Sequence, residues 1–68
     1  MLKISLKAAR VNAMYSQKEA AKALGVSNST LGKWEKGECF PSADKIIDIC
    51  NLYGVNYDTI NFLPSNPL

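Results

Sequence analysis

The chain has 68 residues, 47% of them hydrophobic, with 8 Lys/Arg against 6 Asp/Glu. That length holds one domain with a small core, and that apolar fraction excludes a disordered chain. No apolar run approaches the roughly 20 residues of a membrane span, and the start, Met1-Leu-Lys-Ile-Ser-Leu-Lys7, is no secretory signal; a soluble cytoplasmic protein is expected.

No stretch alternates with a period of two over a useful length, and five helical segments emerge. The first runs from about Ile4 to Ala13, with Leu2, Leu6, Ala9 and Ala13 at helical spacing. The second opens on Ser16-Gln-Lys-Glu19, a capping box in which serine and glutamate each satisfy an amide of the other. Ala20, Ala21 and Leu24 form its inward stripe, and Gly25 stops it. Val26 turns inward and Ser27 caps the third helix, where Leu31 and Trp34 share one face and Lys36-Gly37 closes the last turn. Gly32 stands inside that helix, where it costs about 0.5–1 kcal/mol relative to alanine. Pro41-Ser42 opens the fourth helix, whose stripe is Ile46, Ile49, Cys50 and Tyr53 and whose stop is Gly54. Asn56 starts a short fifth with Ile60 facing in. Pro64 and Pro67 forbid continuation, so residues 1–63 form the all-α domain and 64–68 a loose tail.

Charge is unevenly placed. Residues 1–40 carry Lys3, Lys7, Arg10, Lys18, Lys22, Lys33 and Lys36 against three glutamates, whereas residues 41–68 set Lys45 against three aspartates. One basic half suggests one face that meets a polyanion. There is no histidine, and Cys39 and Cys50 lack metal-ligand spacing. A loop thiol and a small core residue are preferred to a disulfide for these cysteines. Without paired carboxylates, a phosphate loop or mass for a concave pocket, no enzyme, cofactor, metal or small-molecule substrate is expected.

The joint between the second and third helices is the informative part, because so short a connection with a glycine forces a steep crossing. Ala21 is well placed as the small residue where the two touch. The run Gln17-Lys-Glu-Ala-Ala-Lys-Ala-Leu-Gly-Val-Ser-Asn-Ser-Thr-Leu-Gly-Lys-Trp-Glu-Lys-Gly37, continued by Pro41 and Ile46 through Val55, resembles the lambda-repressor-like family. Its Cro/CI-type or XRE-type members carry a helix-turn-helix. The resemblance covers about residues 2–63 and implies a transcriptional regulator of double-stranded DNA, most plausibly a small phage or mobile-element repressor. Its third helix would lie in the major groove.

Carried over by position, Asn28, Ser29 and Lys33 would meet base edges. Gly32, one turn after Asn28 on the outward face, would allow close approach to the duplex, the alternative being drift at an exposed position whose penalty the fold tolerates. Helical geometry agrees: with Leu31 and Trp34 inward, residues 28, 29, 32, 33 and 36 project outward. Gln17, Lys18, Lys36 and Ser42 would contact phosphates, and Arg10 would pair structurally with Glu35. The loop Glu38-Cys-Phe-Pro-Ser42 departs from relatives that carry cations there, which predicts a shallow salt dependence. A weak homodimer on a palindromic operator is implied, with Ile47, Tyr57, Phe62 and Leu63 as a possible patch; covering the core is an equally good use for those residues. The competing reading is a protein-interaction module, such as an antitoxin or anti-repressor partner. It would show an apolar outward stripe on the third helix.

Overall fold

The computed structural model describes residues 3–62. Along them run β1 (Ile4–Ser5), α1 (Leu6–Asn12), α2 (Gln17–Leu24), α3 (Asn28–Lys36), α4 (Ala43–Tyr53), a 3-10 turn (Tyr57–Thr59) and β2 (Ile60–Asn61). The described domain thus has four α-helices and a strand pair, in place of five helices.

Both differences have local causes. Ser5 is the N-cap of the first helix, its hydroxyl accepting from the Ala8 amide at 3.0 Å. A capping residue keeps extended backbone, so α1 starts at Leu6 and Ile4–Ser5 is left free to pair. At the other end the Asn56 side chain makes no capping bond, and only three residues turn before the backbone extends again at Ile60. The two extended pieces meet as a parallel pair in the register Ile4↔Ile60 and Ser5↔Asn61. Ile60, β-branched and only 2% exposed, anchors that pair to the core.

The helix pair at the centre is bounded by side-chain chemistry. Ser16 Oγ accepts from the Glu19 amide at 3.0 Å and the Glu19 carboxylate accepts from the Ser16 amide at 2.9 Å. Those bonds to Ser16, the backbone one foremost, hold the Glu19 carboxyl below its ordinary value. At the far end Gly25 takes the left-handed conformation, φ +73°, which costs a glycine nothing. The Val26 amide then reaches back to the Ala21 carbonyl at 3.0 Å. Ser27 immediately caps α3 through the Thr30 amide, so three residues separate the two helices. Lys45 adds a clamp from α4: its Nζ donates to the Leu24 carbonyl at 2.8 Å, placing a cation at the negative end of α2.

The core gathers Leu6 and Ala9 from α1, Ala20, Ala21 and Leu24 from α2, Leu31 and Trp34 from α3, and Ile49 and Tyr53 from α4. Ala21, 3% exposed, lets α2 sit close on its neighbours. Leu31 and Ile49 are fully buried. Each such side chain contributes about 1.5–3 kcal/mol relative to exposure.

Phe62 belongs to this core as well. It is 6% exposed, stacks on Tyr57 at 5.6 Å between ring centroids and receives Phe40 edge-on at 6.0 Å. Of the apolar residues considered for a dimer patch, Phe62 is therefore withdrawn from the surface and covers the core. Ile47 and Tyr57 stay more than half exposed, while Leu63 and the tail 64–68 lie outside the described residues. Cys39 and Cys50 are both free thiols, and burial pushes the Cys50 thiol up. None of the described helices is long and apolar enough to cross a membrane.

Candidate nucleic-acid interface

Burying Leu31 and Trp34 decides what α3 shows to solvent. Asn28, Ser29, Lys33 and Lys36 are exposed and Gly32 half-buried along the opposite side. No large apolar side chain interrupts that strip. Among the described residues the Ser29 and Lys33 side chains make no hydrogen bond, whereas the Asn28 amide donates to Gln17 Oε1 at 3.1 Å.

Behind the strip lies a connected set of polar groups. Arg10, from α1, is 7% exposed and donates through Nε to Glu35 Oε2 at 2.7 Å and through Nη1 to the Tyr15 carbonyl at 2.9 Å. Glu35 Oε1 accepts from Gln17 Nε2 at 3.0 Å. Gln17 in turn holds Asn28, so one hydrogen-bonded chain runs from the interior ion pair to the outer surface of α3. The charges of that pair are 9% and 5% exposed at the side chain, a burial tolerable only because each finds partners. Packed near them, the Tyr53 hydroxyl is buried without a hydrogen-bond partner among the described residues. Burial first, then the Glu35 charge against the opposing effect of Arg10, pushes its pKa up to about 12.

An open cleft lies over this chain, lined by Lys7, Arg10, Ser16, Gln17, Gly32, Glu35 and Lys36. The cations Lys7 and Lys36 are exposed on it, beside the start of α2, whose first amides have no intrahelical acceptor. Such a setting suits an anionic oxygen. Lys7 was not singled out by sequence reasoning; its signal was its place one turn before Arg10 on α1. A Cβ at Gly32 would lie 3.6–4.0 Å from the Gln17 amide, ordinary contact, so the packing of this chain does not require a glycine.

The remaining expected residues lie around this face. Lys18 is exposed on the first turn of α2. Ser42 is exposed and caps α4, its hydroxyl accepting from the Lys45 amide at 3.4 Å. In the loop between α3 and α4, Glu38, Cys39 and Phe40 are exposed, so that rim offers an acid and a ring and no cation. Among the described residues no group of three or more His, Cys, Asp or Glu could hold a metal ion.

A helix-turn-helix family model matches residues 6–60, from the first residue of α1 to the first of β2. The chain belongs to the XRE-type helix-turn-helix family. It is 42% identical over 53 residues to the HTH-type transcriptional regulator ImmR of Bacillus subtilis (strain 168). That match covers 78% of this chain and 42% of the relative, so the chain spans less than half of that protein's length. No solved structure gives a significant match.

Proposed function

We propose that this helix-turn-helix domain binds double-stranded DNA sequence-specifically and acts as a transcriptional regulator, a small repressor of the phage or mobile-element type. The observation that carries the reading is the outward strip of α3, polar and basic and free of large apolar side chains, presented by a helix-turn-helix anchored from behind by the buried Arg10–Glu35 pair. Asn28 and Lys33 have the chemistry to address adenine and guanine edges, and Ser29 adds an undiscriminating hydroxyl. Gln17, Lys18, Lys36 and Ser42 are proposed to contact phosphates, joined by Lys7 on the cleft. The Gln17 amide keeps one N–H after donating to Glu35, enough for a phosphate oxygen. A protein-interaction role finds no support on α3, which lacks an apolar outward stripe.

One such domain covers half an operator, so a twofold pair on half-sites about 34 Å apart is proposed, held weakly and formed on DNA. Ile47 and Tyr57 are the exposed apolar residues available to it. Selection from a random double-stranded DNA library at about physiological salt tests the reading. An enriched palindrome with half-sites one turn apart is expected. A folded protein that enriches no sequence would overturn it.

A further inference from the structure

The chain of hydrogen bonds between the ion pair and the α3 surface has a direction, and that direction has a consequence for reading bases. A carboxylate only accepts hydrogen bonds. Glu35 Oε1 therefore fixes which end of the Gln17 amide faces it, the Nε2 end, at 3.0 Å. That leaves Gln17 Oε1, also acceptor-only, facing Asn28, and the Asn28 Nδ2 end turns to it at 3.1 Å. Inverting the Asn28 amide would set its carbonyl against the Gln17 carbonyl. Inverting both amides would set the Gln17 carbonyl against the Glu35 carboxylate. The first inversion loses the bond between the two amides; the second reverses that bond but loses the one to Glu35 and faces a partial negative charge with a full one. Arg10 holds the carboxylate itself in place through Nε at 2.7 Å.

We infer that Glu35 is a positioning residue for base recognition: acting through Gln17, it sets the donor/acceptor polarity of the exposed Asn28 amide. Asn28 then offers its Oδ1 and its second N–H to a base pair in one order only. An adenine presents one acceptor, N7, and one donor, N6, on its major-groove edge, so a fixed order selects adenine in one placement relative to α3. A freely rotating amide would accept several placements and discriminate less. This inference rests on the proposed DNA-reading role of Asn28 and gives Glu35 a task beyond pairing with Arg10.

The test combines two measurements on ¹⁵N-labelled parent, Gln17→Met and Glu35→Gln proteins. Gln17→Met cuts the link while leaving the Arg10–Glu35 pair intact, and it stands as the test if Glu35→Gln fails to fold. The first measurement is the NMR order parameter of the Asn28 side-chain amide in the free protein. A value near the ~0.85 of rigid backbone is expected in the parent, falling below about 0.6 in the variants while the Leu31 and Trp34 backbone amides stay rigid. The second is binding to the parent's selected site and to the three other base pairs at the position where Asn28→Ala loses its preference. A preference of about tenfold or more in the parent should shrink to about threefold or less in Gln17→Met. A lost phosphate contact from Gln17 weakens all four sites alike and leaves that ratio unchanged. An Asn28 amide already mobile in the parent, or an undiminished ratio in Gln17→Met, would overturn the inference. A parent that selects no DNA would instead overturn the functional reading and the consequence for bases, with the order parameter alone deciding whether Glu35 orients Asn28.

Discussion

Replacing Gly32 by alanine separates what the fold needs from what DNA binding would need. In the middle of α3 a glycine costs about 0.5–1 kcal/mol relative to alanine through backbone entropy. The added methyl would meet Gln17 Nε2 at 3.6 Å, Oε1 at 3.9 Å and Cδ at 4.0 Å. Those are contacts of ordinary van der Waals length and bring no offsetting strain. Gly32→Ala should therefore stabilise the free protein by about 0.5–1 kcal/mol. For a domain of this size, 1 kcal/mol moves Tm by about 4–8 °C, so a rise of roughly 2–8 °C is expected in a thermal melt followed by circular dichroism. The proposed close approach of α3 to the duplex makes the opposite prediction for binding: the same methyl should weaken affinity for the selected site by about tenfold, or 1.4 kcal/mol. A lower Tm would refute the packing account. A higher Tm with unchanged affinity would refute close approach and leave Gly32 without a function on DNA.

Arg10→Met should remove about 3–5 kcal/mol by leaving the Glu35 charge buried and unpaired, against a total of only about 3–10 kcal/mol for a chain of this length. Denaturant melts should show Arg10→Met with Glu35→Leu recovering much of that loss, and equal losses for single and double variants would contradict the pairing. Tyr53→Phe deletes a buried hydroxyl that has no partner among the described residues, so urea midpoints at pH 7 should hold steady or rise; a large fall would contradict that unsatisfied state. Because the native Tyr53 pKa lies at about 12, above its ordinary value of 10.0, stability from this group is present below pH 10 and lost as pH rises toward 12. Tyr53→Phe should flatten that alkaline decline. Ser16→Ala should cost about 1 kcal/mol by opening the capping box. Glu19→Ala removes the other half of the box, and its melting deficit should narrow on acidification, since the lowered Glu19 pKa places that carboxylate's contribution at the higher pH and removes it as pH falls through the native value.

Local signals made the helix-turn-helix legible in the sequence. Ser16 with Glu19, Gly25 and Ser27 each announce a helix end through chemistry confined to three or four residues, and the structure uses each of them at that end. The Leu31–Trp34 face likewise follows from helical spacing alone. Features that depend on distant partners were not legible. A strand of two residues has no periodicity to detect, and β1 pairs with β2 across more than fifty residues of chain. Ser5 is a legible cap, but the apolar spacing of Leu2 and Leu6 points to a helix that starts before it. Phe62 could serve a core or a surface equally well by type, and only its neighbours Phe40 and Tyr57 decide the matter. The bond from Gln17 to Glu35 joins α2 to α3 through side-chain placement, and no spacing rule encodes it. The same holds for the space in front of Gly32.

The central claim is that the outward face of α3 reads bases, and the affinities of Asn28→Ala and Lys33→Ala for the parent's selected site test it most directly. Both side chains are exposed, so neither change should unfold the domain. Each variant should lose about 1–3 kcal/mol on the selected site, a factor of roughly 5 to 150, and Asn28→Ala should bind scrambled DNA as the parent does. Parent and variants binding the selected site equally tightly would contradict the account, because specificity would then have to come from another face of the protein.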